Sequence, residues 1–125
     1  MSKHPILIVD DQTEVLGLLR AILKREGYEV LMASTVAMAK QVALTRNLAL
    51  VLLDLGLPDG NGLDLCRWLK RQPQCQDVPV IVCSGRDTPE TRAEALTAGA
   101  VDFISKPFEL TRFKEQIRAH LRSES

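Results

Sequence analysis

Asp10 and Asp11 close the run ILIVDD, Asp54 closes LVLLD, Ser84 follows VIVC, and Lys106 follows FIS. Each stands at the end of a short apolar stretch rich in valine, leucine and isoleucine, where a buried strand would emerge. An aspartate carboxylate can attack phosphorus and form an acyl phosphate. A hydroxyl can hydrogen-bond a phosphoryl oxygen, and an ammonium can offset its charge. Singly, the acids have a plain alternative, because aspartate is a common helix cap in such loops. Together they pose an electrostatic problem. Two carboxylates about 4 Å apart repel by ~4 kcal/mol at an effective dielectric near 20, and one ammonium cannot balance three anions. A divalent cation with hard oxygen ligands answers this, and partly hydrated magnesium suits a site with few carboxylates.

Those groups can act together only if the chain brings the strand ends to one edge. Five apolar runs, at 6–9, 29–33, 49–53, 79–83 and 101–104, read as strands. Between them apolar residues recur at helical spacing, from Val15, Leu18, Leu19, Ile22 and Leu23 in the first stripe to Leu110, Phe113, Ile117 and Leu121 in the last. Thr13, Ser34 or Thr35, Asn61 and Thr88-Pro89-Glu90 open the first four helices, Gly27 and Gly99 end the first and fourth, and the fifth ends near Arg122. Strands apolar on both faces, each followed by a helix, imply a parallel sheet covered on both sides. The expected fold is α/β, a doubly wound (βα)5 three-layer sandwich forming one domain over residues 1–125. Ligands in such sheets gather outside the carboxyl ends of the strands, where the acids, the hydroxyl and the ammonium lie.

Composition narrows the partners. Lysine plus arginine (16) balances aspartate plus glutamate (16), so no global field recruits nucleic acid or an anionic membrane. The first apolar run, ILIV, is too short for a signal peptide or a membrane span, which gives a cytoplasmic expectation. Cys66, Cys75 and Cys83 form no CxxC and read as small apolar fillers. VDDQTE has no glycine after the first strand, which argues against a nucleotide or flavin phosphate loop. Trp68 reads as a half-buried surface ring, and His4 and His120 stand at no metal-ligand spacing.

The motifs VDD at 9–11, LLDLGLPDGNG at 52–62, VCSG at 82–85 and FISKPF at 103–108 resemble the receiver domain of bacterial two-component response regulators, in the same order and over residues 5–121. The resemblance implies a flavodoxin-like sheet of strand order 2-1-3-4-5. It implies Asp54 as phosphoacceptor, Asp11 as a direct metal ligand, Asp10 holding the metal through water, and the Gly56 carbonyl completing that site. Lys106 would bind the phosphoryl group, Ser84 would be the switch hydroxyl, and Phe103 the switch aromatic. The implied cofactor is Mg2+, with Mn2+ able to substitute. The implied partner is a histidine kinase or a histidine phosphotransfer protein, with the face of helix four, strand five and helix five open to an output domain or a second copy. Such a module is not an enzyme in the usual sense, since it catalyses only its own phosphorylation and dephosphorylation. A cis Lys106-Pro107 bond is implied too, against an ordinary trans turn. Phe103 either turns inward when Ser84 moves or is a permanently buried ring. Gly56 and Arg86 match positions that tune access of hydrolytic water, and Arg86 either pairs with an anion or points into solvent.

Two other readings compete. An aspartate-dependent phosphatase usually carries a second acid two residues after its nucleophile, and here that position is Gly56. A phosphorylation-independent adaptor would be expected to have lost an acid or the lysine, and all are present. No output domain is expected within the 125 residues.

Overall fold

The structure, a computed structural model, describes residues 4–121. The strands of the main sheet are β1 (Ile6–Val9), β2 (Val30–Ala33), β3 (Leu50–Leu53), β6 (Val80–Ser84) and β7 (Asp102–Ser105), with β4 (Gly56–Leu57) and β5 (Gly60–Asn61) forming a separate small antiparallel ribbon. All pairings in the main sheet are parallel, in the order β2-β1-β3-β6-β7. This is the expected 2-1-3-4-5 arrangement, since the ribbon takes the numbers four and five. The helices are α1 (Thr13–Arg25), α2 (Val36–Thr45), α3 (Gly62–Arg71), α4 (Pro89–Thr97) and α5 (Leu110–Leu121), and the expected end near Arg122 lies outside the described residues.

Strand periodicity divides the core in two. Successive side chains point to opposite faces, so Ile6, Ile8, Leu50, Leu52, Ile81 and Cys83 face Leu16, Leu19 and Leu23 of α1 and Phe113 and Ile117 of α5. Leu7, Val9, Val51, Leu53, Val80 and Val82 face α2, α3 and α4 through Ala39, Ala43, Leu65, Leu69 and Ala95. Each fully buried leucine or isoleucine contributes about 1.5–3 kcal/mol of transfer free energy. The three central strands are buried along their whole length, so the rim they end on is rigidly held. Trp68 is half-buried against the second of these cores, with the Lys40 ammonium 5.1 Å from its ring centroid.

Local signals place most of the boundaries. Thr35 accepts from Met38 N (3.1 Å), Asn61 from Leu63 N (2.7 Å) and Thr88 from Thr91 N (3.1 Å), with Pro89 opening α4. Gly27 (φ 95°) and Gly99 (φ 110°) close α1 and α4 in the left-handed region. Thr13 is a correction. It is the first helical residue, the cap position belongs to Gln12, and the Thr13 hydroxyl donates to Glu14 instead of capping the turn. Strands β2, β3, β6 and β7 each start one residue later than the apolar runs suggest; ahead of β2 and β6, Glu29 and Pro79 contribute only their carbonyls, to Ile6 N and Val51 N. At the other end Ser84 and Ser105 pair in register, so Ser84 is the last residue of its strand rather than the first of the loop. Among the described residues no helix is long and apolar enough to cross a membrane.

Candidate functional site

The backbone ladder runs one step past the strands and fixes the polar residues there. Asp10 N donates to Ala33 O (3.0 Å), Asp54 N to Val9 O (2.9 Å) and Lys106 N to Ser84 O (2.9 Å). Three side chains from three strand ends are thereby held at one edge. Carboxylate oxygens of Asp10, Asp11 and Asp54 lie within 4.8 Å of one another. Asp10 is 2% exposed, Asp54 is half-buried and Asp11 is exposed. Lys106 Nζ donates to Asp10 Oδ2 at 2.7 Å and stands 3.6 Å from Asp54 Oδ1. The Lys106-Pro107 bond is cis.

Burial is the main reason the Asp54 carboxyl titrates above the ordinary aspartate range, and the charges of Asp10 and Asp11 add to it against the pull of Lys106 and the Leu55 N–H. Crowding by like charges is therefore secondary to desolvation. Burial alone would lower Lys106, yet its hydrogen bond to Asp10 and the charges of Asp54 and Asp10 hold it above the usual lysine value. Asp10 Oδ1 accepts from Gln12 N at 2.9 Å, which aims its other oxygen at Lys106. Ser84 is buried at the same edge, and its hydroxyl accepts from Arg86 N at 3.1 Å. The neighbouring Cys83 thiol is pushed up to about 11 by burial, which makes it an inert filler. All three cysteines are free and buried.

The donor set fits a hard divalent cation. Asp10, Asp11 and Asp54 offer carboxylate oxygens around one point, with a single ammonium against them. A Cβ on Gly56 would stand 3.9 Å from Asp54 Oδ2, so the backbone of Gly56 passes beside that carboxylate. Oxygen donors of this kind, few and incomplete, suit magnesium with water in the remaining positions.

Three contacts around the site are not foreshadowed by sequence pattern. Asp59 accepts from Val36 N (2.7 Å) and Ala37 N (3.1 Å), so the loop after Asp54 caps α2. Gly62 is pressed against that loop, because an added Cβ would come within 2.6 Å of Leu55 Cα and 2.7 Å of the Asp54 carbonyl oxygen. Phe103 is 7% exposed and covered by the Arg92 guanidinium, 4.7 Å from its ring centroid. A glycine just before an apolar helical stripe is the one signal that could have marked Gly62; the Asp59 and Arg92 contacts join distant segments and leave no local trace. Arg86 is exposed.

The chain matches the family model for the response regulator receiver domain over residues 6–118. It is 40% identical over 120 residues to the KDP operon transcriptional regulatory protein KdpE of Escherichia coli (strain K12), a match covering 96% of this chain and 52% of that protein. The chain thus spans about half the length of this curated relative. A CheY-like response regulator receiver domain protein from Methanospirillum hungatei JF-1 superposes with TM-score 0.90 at 32% identity, covering 98% of this chain and 96% of that one. The BeF3-activated N-terminal receiver domain of Klebsiella pneumoniae RstA gives TM-score 0.88 at 31% identity, covering 94% and 98%.

Proposed function

The chain belongs to the response regulator receiver domain family, and from that premise we propose that Asp54 accepts a phosphoryl group from a phosphohistidine on a histidine kinase or histidine phosphotransfer protein. The observation that carries this reading is the meeting of Asp54 with Asp10, Asp11 and Lys106 at one sheet edge. A carboxylate oxygen of Asp54 attacks phosphorus in line, the bond from phosphorus to the imidazole nitrogen breaks, and the imidazole leaves with that electron pair. The product is an acyl phosphate on Asp54.

Asp10, Asp11, Asp54 and the Gly56 carbonyl would hold Mg2+, or Mn2+ in its place, whose charge offsets that of the acids and the phosphoryl oxygens. Lys106 moves from Asp10 toward a phosphoryl oxygen, a short step since Asp54 is already 3.6 Å away. The Ser84 hydroxyl donates to another phosphoryl oxygen. Asp54 sits on a rigid strand end, so the nucleophile needs no reorganisation before attack. Water later hydrolyses the acyl phosphate, and Gly56 presents no side chain to obstruct it. This chemistry acts only on the chain itself.

The phosphoryl group matters through the face formed by α4, β7 and α5, where Phe103 lies and where an output domain or a second copy would bind. Driving such a switch from 1:99 to 99:1 takes about 5.5 kcal/mol of differential stabilisation, within reach of a dianion held by a dication and Lys106. The BeF3-activated RstA receiver supports a response of this kind to a phosphoryl-like group. A chain that works this way acts in the cytoplasm, where kinases display their phosphohistidines.

Incubation with acetyl phosphate and Mg2+, followed by intact mass, tests the reading. One phosphoryl group per chain, absent in Asp54→Asn, is the expected result. Multiple turnover on outside phosphoesters would make it a phosphatase, and no labelling would make it an adaptor; either overturns the proposal.

A further inference from the structure

Arg92, on the first turn of α4, does two things at once. Its Nε and Nη2 both donate to the Asp87 carboxylate, the second at 3.0 Å, while its guanidinium carbon lies over the Phe103 ring, 4.7 Å from the centroid. A planar fork can satisfy a carboxylate along its edge and an aromatic ring with its face, which an ammonium does less well. Asp87 sits three residues after Ser84, in the loop joining β6 to α4. Arg92, and after it Ser105 on β7, hold the Asp87 carboxyl below the ordinary aspartate range. The loop that follows Ser84 is therefore tied to α4 by that carboxylate.

An exposed ion pair alone contributes little to stability, so the arrangement needs a reason beyond holding the fold. Beside it opens a cavity of about 270 Å³ lined by Asp87, Arg92, Phe103, Ser105, Phe108 and Arg112. That space lets the guanidinium or the ring move without displacing the core. We infer that Asp87 and Arg92 form a clasp that couples the loop after Ser84 to the Phe103 ring, making Arg92 a positioning residue of the switch. The inference rests on the phosphoacceptor reading. When Ser84 is drawn toward the phosphoryl group, Asp87 is carried with it over a three-residue reach. The bidentate contact then drags the guanidinium across Phe103 and shifts the first turn of α4. Without the clasp, the loop responds to phosphorylation and the ring does not.

The test uses the full chain as wild type, Asp87→Asn, Arg92→Gln, Arg92→Lys and the Asp87→Asn/Arg92→Gln double variant. Acetyl phosphate labelling by intact mass is read first, then the Phe103 ring and amide NMR signals with and without Mg2+ and beryllofluoride as a stable phosphoryl stand-in. All variants are expected to label at Asp54 and to shift amides 84–86 as wild type does. The Phe103 ring response should fall to less than half in Asp87→Asn and in Arg92→Gln. It should fall no further in the double variant, and Arg92→Lys, which keeps the charge over the ring, should restore more than half of it. Labelled variants whose Phe103 response stays above half that of wild type, or a double variant in which the two losses add, would overturn the clasp alone. A wild type that takes no label would overturn the phosphoacceptor reading, and the clasp with it.

Discussion

Lys106 is paired with Asp10, at 2.7 Å, more closely than with Asp54, at 3.6 Å. The Asp10 side chain is almost wholly buried and that of Lys106 largely so, so the ammonium is the counter-charge that lets Asp10 stay inside the fold. Removing one member of a buried pair leaves the other uncompensated. Lys106→Met should lower unfolding free energy at pH 7 by on the order of 3 kcal/mol, measured by urea titration. A lysine whose pKa is raised in the fold contributes fully below its unfolded value and loses the contribution as pH rises through the folded one. The gap between wild type and variant should therefore hold through neutral pH and shrink only above the ordinary lysine pKa, about 10.4. Equal urea midpoints at pH 7 would contradict this.

Asp54 carries the opposite sign. Its carboxyl is raised first by burial and then by Asp10 and Asp11, so the folded state prefers the neutral acid. Once pH passes the folded pKa, ionisation costs stability that an asparagine would not lose. In buffer with chelator at pH 7, Asp54→Asn should be more stable than wild type and melt at a higher temperature. Near pH 3 both side chains are neutral and the difference should vanish. Added Mg2+ should raise the Tm of wild type more than that of the variant. A variant no more stable than wild type in chelator would contradict the account.

Two glycines should respond in opposite directions. A Cβ at Gly62 meets backbone, at 2.6 Å from Leu55 Cα and 2.7 Å from the Asp54 carbonyl oxygen, and neither can move without moving the loop that begins at Asp54. Gly17 lies within α1 with nothing inside 4 Å of such a Cβ. Gly62→Ala should cost about 2 kcal/mol or more, taking about 1–3 kcal/mol for overpacking plus the shift of the loop, and should slow acetyl phosphate labelling. Gly17→Ala should stabilise by about 0.5–1 kcal/mol and leave labelling unchanged. Thermal melts with labelling time courses read both, and a Gly62→Ala variant matching wild type in both would refute the contact.

Much of this fold and site is legible in the sequence. Ile6–Val9, Leu50–Leu53 and Val80–Ser84 are buried on both faces, and that is why they read as unbroken apolar runs against which Asp10, Asp54 and Lys106 stand out. Thr35, Asn61 and Thr88 cap by hydrogen bonds two or three residues long, well within what local pattern reveals. Thr13 misleads because the Gln12 backbone turns to Asp10 and moves the cap position back by one. Asp59 and Arg92 are opaque for a different reason. Asp59 acts 23 residues away on Val36, and Arg92 lies on Phe103 across an element boundary. Such contacts depend on how helices settle on the sheet, which periodicity does not encode.

The direct test is to find which atom takes the phosphoryl group. Acetyl phosphate and Mg2+ treatment, followed by borohydride reduction and peptide mapping, converts an aspartyl phosphate to homoserine. The account predicts homoserine at position 54, and none when Mg2+ is withheld. Homoserine at Asp10, Asp11 or any other acid, or an unmodified Asp54 in chain that carries the label, would contradict it.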